Sequence, residues 1–129
     1  MSLARVLVVD DHAPIRELLR RILEPAGYVV FTAEDAHTAL AAMAEHNPHV
    51  AFLDVHMPGA DGLWLADQIR EQFPTAATVL ATADRDIPAV QNVRRGIIHY
   101  LVKPFQRDEV LRAAEDGVRW SEALRNLQH

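Results

Sequence analysis

Five short apolar runs, interleaved with longer segments of helical periodicity, constrain the fold of this chain more than any other feature. They are RVLVVD (5–10), YVVFTA (28–33), VAFLD (50–54), ATVLAT (77–82) and IIHYLV (97–102). Several are apolar almost throughout, as strands covered on both faces are, rather than alternating like strands with one wet side. Between the first two, Ile15, Leu18, Leu19 and Ile22 recur at helical spacing. Segments 36–45, 62–73 and 88–95 fill the next three gaps, and 108–127 follows the last run. Asp35 and Asp61 suit helix N-caps, and Pro14 and Pro88 suit first helical turns. Pro25–Ala26–Gly27, Asn47–Pro48 and Phe73–Pro74 punctuate the helix ends. Five strand–helix repeats predict an α/β domain: a doubly wound, five-stranded parallel sheet with right-handed crossovers and five helices.

The 129 residues fit one domain, and half of them are hydrophobic, enough for a sizeable core. Thirteen basic against 18 acidic side chains leave a formal charge of −5. Phosphate backbones are gripped by a basic footprint, so direct nucleic-acid binding by this domain is not expected. Without cysteine, disulfides and thiolate metal sites are excluded. No run approaches the roughly 20 apolar residues of a membrane span. Nor does the N-terminus resemble a signal peptide. A soluble cytoplasmic protein is the expectation.

In an open parallel sheet the C-terminal strand ends share one edge, and ligands bind beside it. Here the first strand ends in Asp10–Asp11, the third in Asp54, the fourth in Thr82 and the fifth in Lys103–Pro104. Singly, these residues have ordinary readings: Asp11 as a helix cap, Thr82 as a strand residue, Lys103 as a solvated cation. Together they converge three carboxylates, a hydroxyl and an ammonium on one edge. Oxygen donors without cysteine suit a hard cation, and Mg²⁺ commonly uses one or two carboxylates while reaching toward a phosphate. Asp54 then has the chemistry of a nucleophile that forms an aspartyl phosphate. The cation and Lys103 would offset the charge on the phosphoryl oxygens. Adjacent Asp10 and Asp11 are tolerated if a divalent ion neutralises them.

The segments VLVVDDHAPIRELLRRIL, VAFLDVHMPGADGLWLADQIR, VLATAD and HYLVKPF resemble the receiver domain of bacterial two-component response regulators. The resemblance covers roughly residues 5 to 120 and implies the flavodoxin-like strand order 2-1-3-4-5. It implies that Asp54 accepts phosphate from a histidine kinase or phosphotransfer protein. Mg²⁺ (or Mn²⁺) would be held by Asp11 and Asp54 side chains, by the backbone carbonyl of His56, and by Asp10 through water. Thr82 and Tyr100 would form the switch pair, Lys103 would contact the phosphate, and the Lys103–Pro104 peptide would be cis. The domain is then a phosphoacceptor rather than an enzyme, regulating an output domain or partner, with dimerisation on phosphorylation as one route.

Several residues stand apart from that pattern. His56 and Asp84 occupy positions that in receivers modulate phosphoryl lifetime. They either bridge over the site, screening water, or are two solvated side chains. Ile97, Ile98 and His99 replace the acidic residues that many receivers carry before the switch tyrosine, and are either buried or an apolar contact. Trp64 falls opposite Leu65, Ala66, Ile69 and Phe73 on its helix, which predicts partial packing on a neighbour or a partner anchor. His12 lies beside the acids, whereas His37, His46, His49 and His129 read as surface residues. The last helix either closes the domain or, over 121–129, begins a connector to an output domain. A Mg²⁺-dependent phosphohydrolase is the competing class, disfavoured because no second carboxylate stands two residues after Asp54. Nucleotide-binding fingerprints such as GxxxxGK[ST] or GxGxxG are absent.

Overall fold

The structure, a computed structural model, describes residues 3–83 and 96–127. Strands β1 (Arg5–Val9), β2 (Val29–Ala33), β3 (Val50–Leu53), β4 (Ala77–Thr82) and β5 (Ile97–Val102) form one parallel sheet. Its order is β2-β1-β3-β4-β5. Helices α1 (Ala13–Leu23), α2 (Ala36–His46), α3 (Gly62–Gln72) and α4 (Arg107–Leu127) connect or follow the strands, with a short 3₁₀ turn at Glu24–Ala26. The helix expected over 88–95 lies outside the described residues, as do Asp84 and His129. The described residues contain four helices.

The near-continuous apolar runs are explained by burial on both faces. Side chains alternate across a strand, so Leu7 and Val9 join one core with Met43, Leu53, Leu65 and Ile69, under α2 and α3. Val6 and Val8 join the other, with Leu19, Leu23, Phe52, Val110 and Ala114, under α1 and α4. Every residue of β3 and β4 is buried. On α1 the buried stripe is Leu19, Ile22 and Leu23, while Leu18 is exposed, so the apolar face is narrower than its spacing predicts. Gly117 lets α4 come close to β3, since a Cβ there would meet Val50 Cγ2 at 2.6 Å.

Local chemistry sets the helix ends. Asp35 Oδ1 accepts from the Thr38 amide at 2.7 Å, and Asp61 Oδ1 accepts from the Trp64 amide at 2.9 Å, as both caps were expected to do. α2 ends on Asn47 in the left-handed region, φ 49°. There Arg5 donates to the His46 and Asn47 carbonyls, and Arg125 donates to those of Asn47 and Pro48. The far end of α4 is thereby tied to the body of the domain.

One of the histidines, His49, is not on the surface, contrary to its sequence reading. His49 is buried, its Nδ1 accepting the Arg5 amide at 3.1 Å. Burial, with Arg125 and Arg5 nearby, lowers its pKa and keeps the ring neutral. His46 stacks on Phe31 with ring centroids 3.7 Å apart. Single-residue polarity missed the burial of His49 because its partner, Arg5, comes from a distant segment. Trp64 is 38% exposed and leans on His37 of α2, centroids 5.7 Å apart. Ile97 is buried and Ile98 partly so, while His99 Nε2 stands 2.7 Å from Asp116 Oδ2, linking β5 to α4. That contact lowers the Asp116 pKa.

Candidate functional site

Strand register assembles the acids. β1 and β3 pair with Val9 opposite Leu53, so the next residue of each, Asp10 and Asp54, emerges side by side at the C-terminal edge. The Asp54 amide donates to Val9 O at 2.9 Å, and the Asp10 amide to Ala33 O at 3.2 Å. Both carboxylates are deeply buried, Asp10 at 2% exposure and Asp54 at 4%. Lys103 reaches them from beyond β5, its Nζ 2.8 Å from Asp10 Oδ2 and 3.7 Å from Asp54 Oδ1. The Lys103 amide donates to Thr82 O at 2.9 Å, and the Lys103–Pro104 peptide is cis.

Asp11 is half-buried and does not cap α1, whose N-cap is His12. Its Oδ1 is buried with no hydrogen-bond partner among the described residues. His12 Nδ1 lies 3.1 Å from that oxygen without hydrogen-bonding geometry, and 3.3 Å from Asp10 Oδ1. Asp10, Asp11, His12 and Asp54 each offer a donor atom within 4.8 Å of the others. Among the described residues three carboxylates face one ammonium, so this cluster carries excess negative charge where burial makes it costly. The buried, orphaned oxygen and the hard donor set fit a divalent cation.

The electrostatics of Asp54 agree. Burial raises its pKa first, the Asp10 carboxylate adds to that, Lys103 and the His56 amide oppose it, and Asp11 raises it further. His56 is exposed and contributes that amide hydrogen bond to Asp54. Of the expected His56–Asp84 pair, Asp84 lies outside the described residues. Thr82, at the end of β4, is fully buried, and Tyr100 is partly buried on β5 opposite Leu80.

Two further residues shape the site and were not singled out from sequence. Arg16 Nη1 donates to the Asp10 carbonyl at 2.7 Å, anchoring the acidic turn to α1. Its only sequence signal is its place one helical turn after His12. Gly62 opens α3 against the backbone of Asp54: an added Cβ would lie 2.2 Å from the Asp54 carbonyl oxygen. A glycine at a helix start directly after an acidic cap is the available hint of such an approach.

Known proteins share this architecture. The family described as response regulator receiver domain matches residues 6–115. The DNA-binding transcriptional regulator NtrC of Salmonella typhimurium is 40% identical over 114 residues, covering 88% of this chain but 24% of NtrC. The crystal structure of NtrX from Brucella abortus in complex with ATP superposes with a TM-score of 0.89 at 37% identity, covering 98% of this chain and 29% of NtrX. A CheY-like receiver domain protein from Methanospirillum hungatei superposes with a TM-score of 0.88 at 26% identity, covering 95% and 98%. The chain thus spans about a quarter of its NtrC relative. With family match, strand order and overall shape in agreement, this chain belongs to the response regulator receiver domain family.

Proposed function

We propose that this domain is a phosphorylation-controlled switch in which Asp54 accepts a phosphoryl group from the phosphohistidine of a histidine kinase or phosphotransfer protein. The observation that carries the proposal is the cluster itself: buried Asp54 beside Asp10, the Lys103 ammonium 3.7 Å away, and the orphaned oxygen of Asp11. An Asp54 carboxylate oxygen attacks phosphorus, the phosphorus–nitrogen bond breaks, and the histidine nitrogen leaves with the bond's electron pair. Lys103 leans from Asp10 toward the incoming phosphoryl oxygens and offsets their charge. Asp11, Asp54 and the His56 carbonyl would hold Mg²⁺ or Mn²⁺ directly and Asp10 through water; when bound, the ion neutralises charge on the transferring group. Burial around Asp54 limits the water that competes for the acyl phosphate.

Phosphorylation turns one charge into roughly two and adds acceptor oxygens. Thr82, at the strand end next to the site, would hydrogen-bond one of them, and Tyr100, two residues before Thr82's strand partner Val102, would follow. The switch then alters affinity for an output domain or partner protein, by contacts that differ between the two states, or for a second copy of the domain. NtrC is named a DNA-binding transcriptional regulator, and a transcriptional output is the corresponding proposal here. DNA contact would fall to a separate domain, and the turns of α4 beyond residue 120 would lead toward it. Cytoplasmic residence follows from that role; among the described residues no helix is long and apolar enough to cross a membrane.

Two measurements test the proposal. Mg²⁺ at 100 times its dissociation constant should stabilise the fold by about 2.7 kcal/mol through mass action, read as a higher Tm. A melting curve indifferent to millimolar Mg²⁺ counts against the site. Incubation with acetyl phosphate and Mg²⁺ should label the protein to one phosphoryl group per chain and then stop. Sustained turnover of a phosphomonoester would instead favour the Mg²⁺-dependent phosphohydrolase.

A further inference from the structure

His12 occupies the N-cap of α1, a position usually given to Ser, Thr, Asp or Asn because a short side-chain oxygen satisfies a helix amide. It makes no such bond: its backbone is extended (φ −99°, ψ 114°) and its side chain does not cap. The imidazole instead turns back over the acids, with Nδ1 3.1 Å from Asp11 Oδ1 and 3.3 Å from Asp10 Oδ1. The side chain is 66% exposed, so core packing does not hold it there; its hydrogen bond to Asp10 Oδ1 does. A metal with bonds of about 2.1 Å sets neighbouring octahedral ligands about 3 Å apart. The separation of Nδ1 from Asp11 Oδ1 has that spacing, and among the described residues that oxygen has no hydrogen-bond partner.

We propose that His12 supplies a nitrogen ligand to the cation site, making it a mixed imidazole–carboxylate site that favours transition-metal divalent cations over Mg²⁺. The inference rests on the cation-dependent phosphoacceptor reading and adds the identity of the preferred ion. Mg²⁺ takes hard oxygen donors, whereas imidazole strengthens binding to first-row transition metals. Asp10, Asp11 and Asp54 alone would hold either class through oxygen. A ring nitrogen in the set gains affinity only with the second. The exposed ring has room to swing aside, so Mg²⁺ binding does not require it.

The test uses Mn²⁺ and Mg²⁺ as the probes, on the wild-type chain, His12→Ala and Asp11→Asn, with circular dichroism to establish that each variant is folded. Pulsed electron paramagnetic resonance of bound Mn²⁺ should show nitrogen coupling in the wild type that disappears in His12→Ala. Mn²⁺ affinity should fall about tenfold in His12→Ala, the scale on which losing a metal-site group is felt, while Mg²⁺ affinity changes by less than about twofold. Asp11→Asn should weaken both ions. If His12→Ala leaves Mn²⁺ affinity and its spectrum unchanged while both ions still bind, the His12 assignment is wrong and the phosphoacceptor site stands. If neither ion binds the wild type, both fall together.

Discussion

Gly62→Ala is expected to destabilise the domain by about 3 kcal/mol, the upper range for overpacking a tight contact, and to lower Tm by about 10 °C for a chain of this size. The reason is backbone against backbone. The new Cβ would meet the Asp54 carbonyl oxygen at 2.2 Å, the Asp54 carbonyl carbon at 2.9 Å and Val55 Cα at 2.9 Å. No flexible side chain can yield there. The Gly62 amide also donates to Val55 O at 3.0 Å, so moving α3 away breaks that bond. The displacement falls on the residue that carries the chemistry, and the fraction that remains folded should also label more slowly. Gly59 provides the contrast. It has φ +79° but open space where a Cβ would stand, so Gly59→Ala should cost only left-handed strain, about 1–2 kcal/mol. Equal losses for the two variants, read by thermal or urea unfolding, would contradict the close-approach argument.

The second large effect is a separation of stability from activity at residue 54. Asp54→Asn should abolish phosphoryl labelling outright, yet make the metal-free protein more stable at neutral pH. Burial and the Asp10 carboxylate raise the folded pKa of Asp54 above its unfolded value. Between those two values the native state holds a proton that the unfolded state has released, so this group's contribution falls as pH rises through the window. Above the folded pKa the penalty is complete, and it grows with pH from the unfolded carboxylate range upward. Asparagine removes the charge while keeping an oxygen to accept the His56 amide. A gain of about 1 kcal/mol, the usual scale of stabilising changes at functional sites, should appear in chelator at pH 7 and vanish below the unfolded carboxylate range. The same substitution should shrink the stabilisation by Mg²⁺. A variant less stable than wild type in chelator at pH 7 would contradict the charge-crowding account.

Much of this arrangement is legible in the sequence because parallel strands turn linear order into a shared edge. Once the five apolar runs are read as strands, Asp10, Asp54, Thr82 and Lys103 must fall at their C-terminal ends, and the register of Val9 with Leu53 places the two acids side by side. Caps are local, so Asp35 and Asp61 were legible too. What escaped depends on contacts between distant segments. His49 reads as polar surface until the Arg5 amide is seen to donate to it across 44 positions. Leu18 fits the apolar stripe of α1, yet is exposed because the neighbouring elements bury Leu19, Ile22 and Leu23 and, in part, Ile15. Arg16 carries no motif, because its partner is a backbone carbonyl that any residue would present. Gly62 matters for the atom it lacks, and only the position of the Asp54 backbone reveals that. The roles assigned to Tyr100 and His56 came from family resemblance, not from spacing.

Formation of an acyl phosphate on Asp54, at a cluster completed by a divalent ion and Lys103, is the central claim. The direct measurement is mass spectrometric mapping after exposure to acetyl phosphate, with Mg²⁺ or with chelator, of wild type, Lys103→Ala and Asp54→Asn. The expected result is one phosphoryl group on the peptide containing residue 54, seen only with Mg²⁺, diminished in Lys103→Ala and absent in Asp54→Asn. A phosphoryl group carried elsewhere, or equal labelling in chelator, would contradict it.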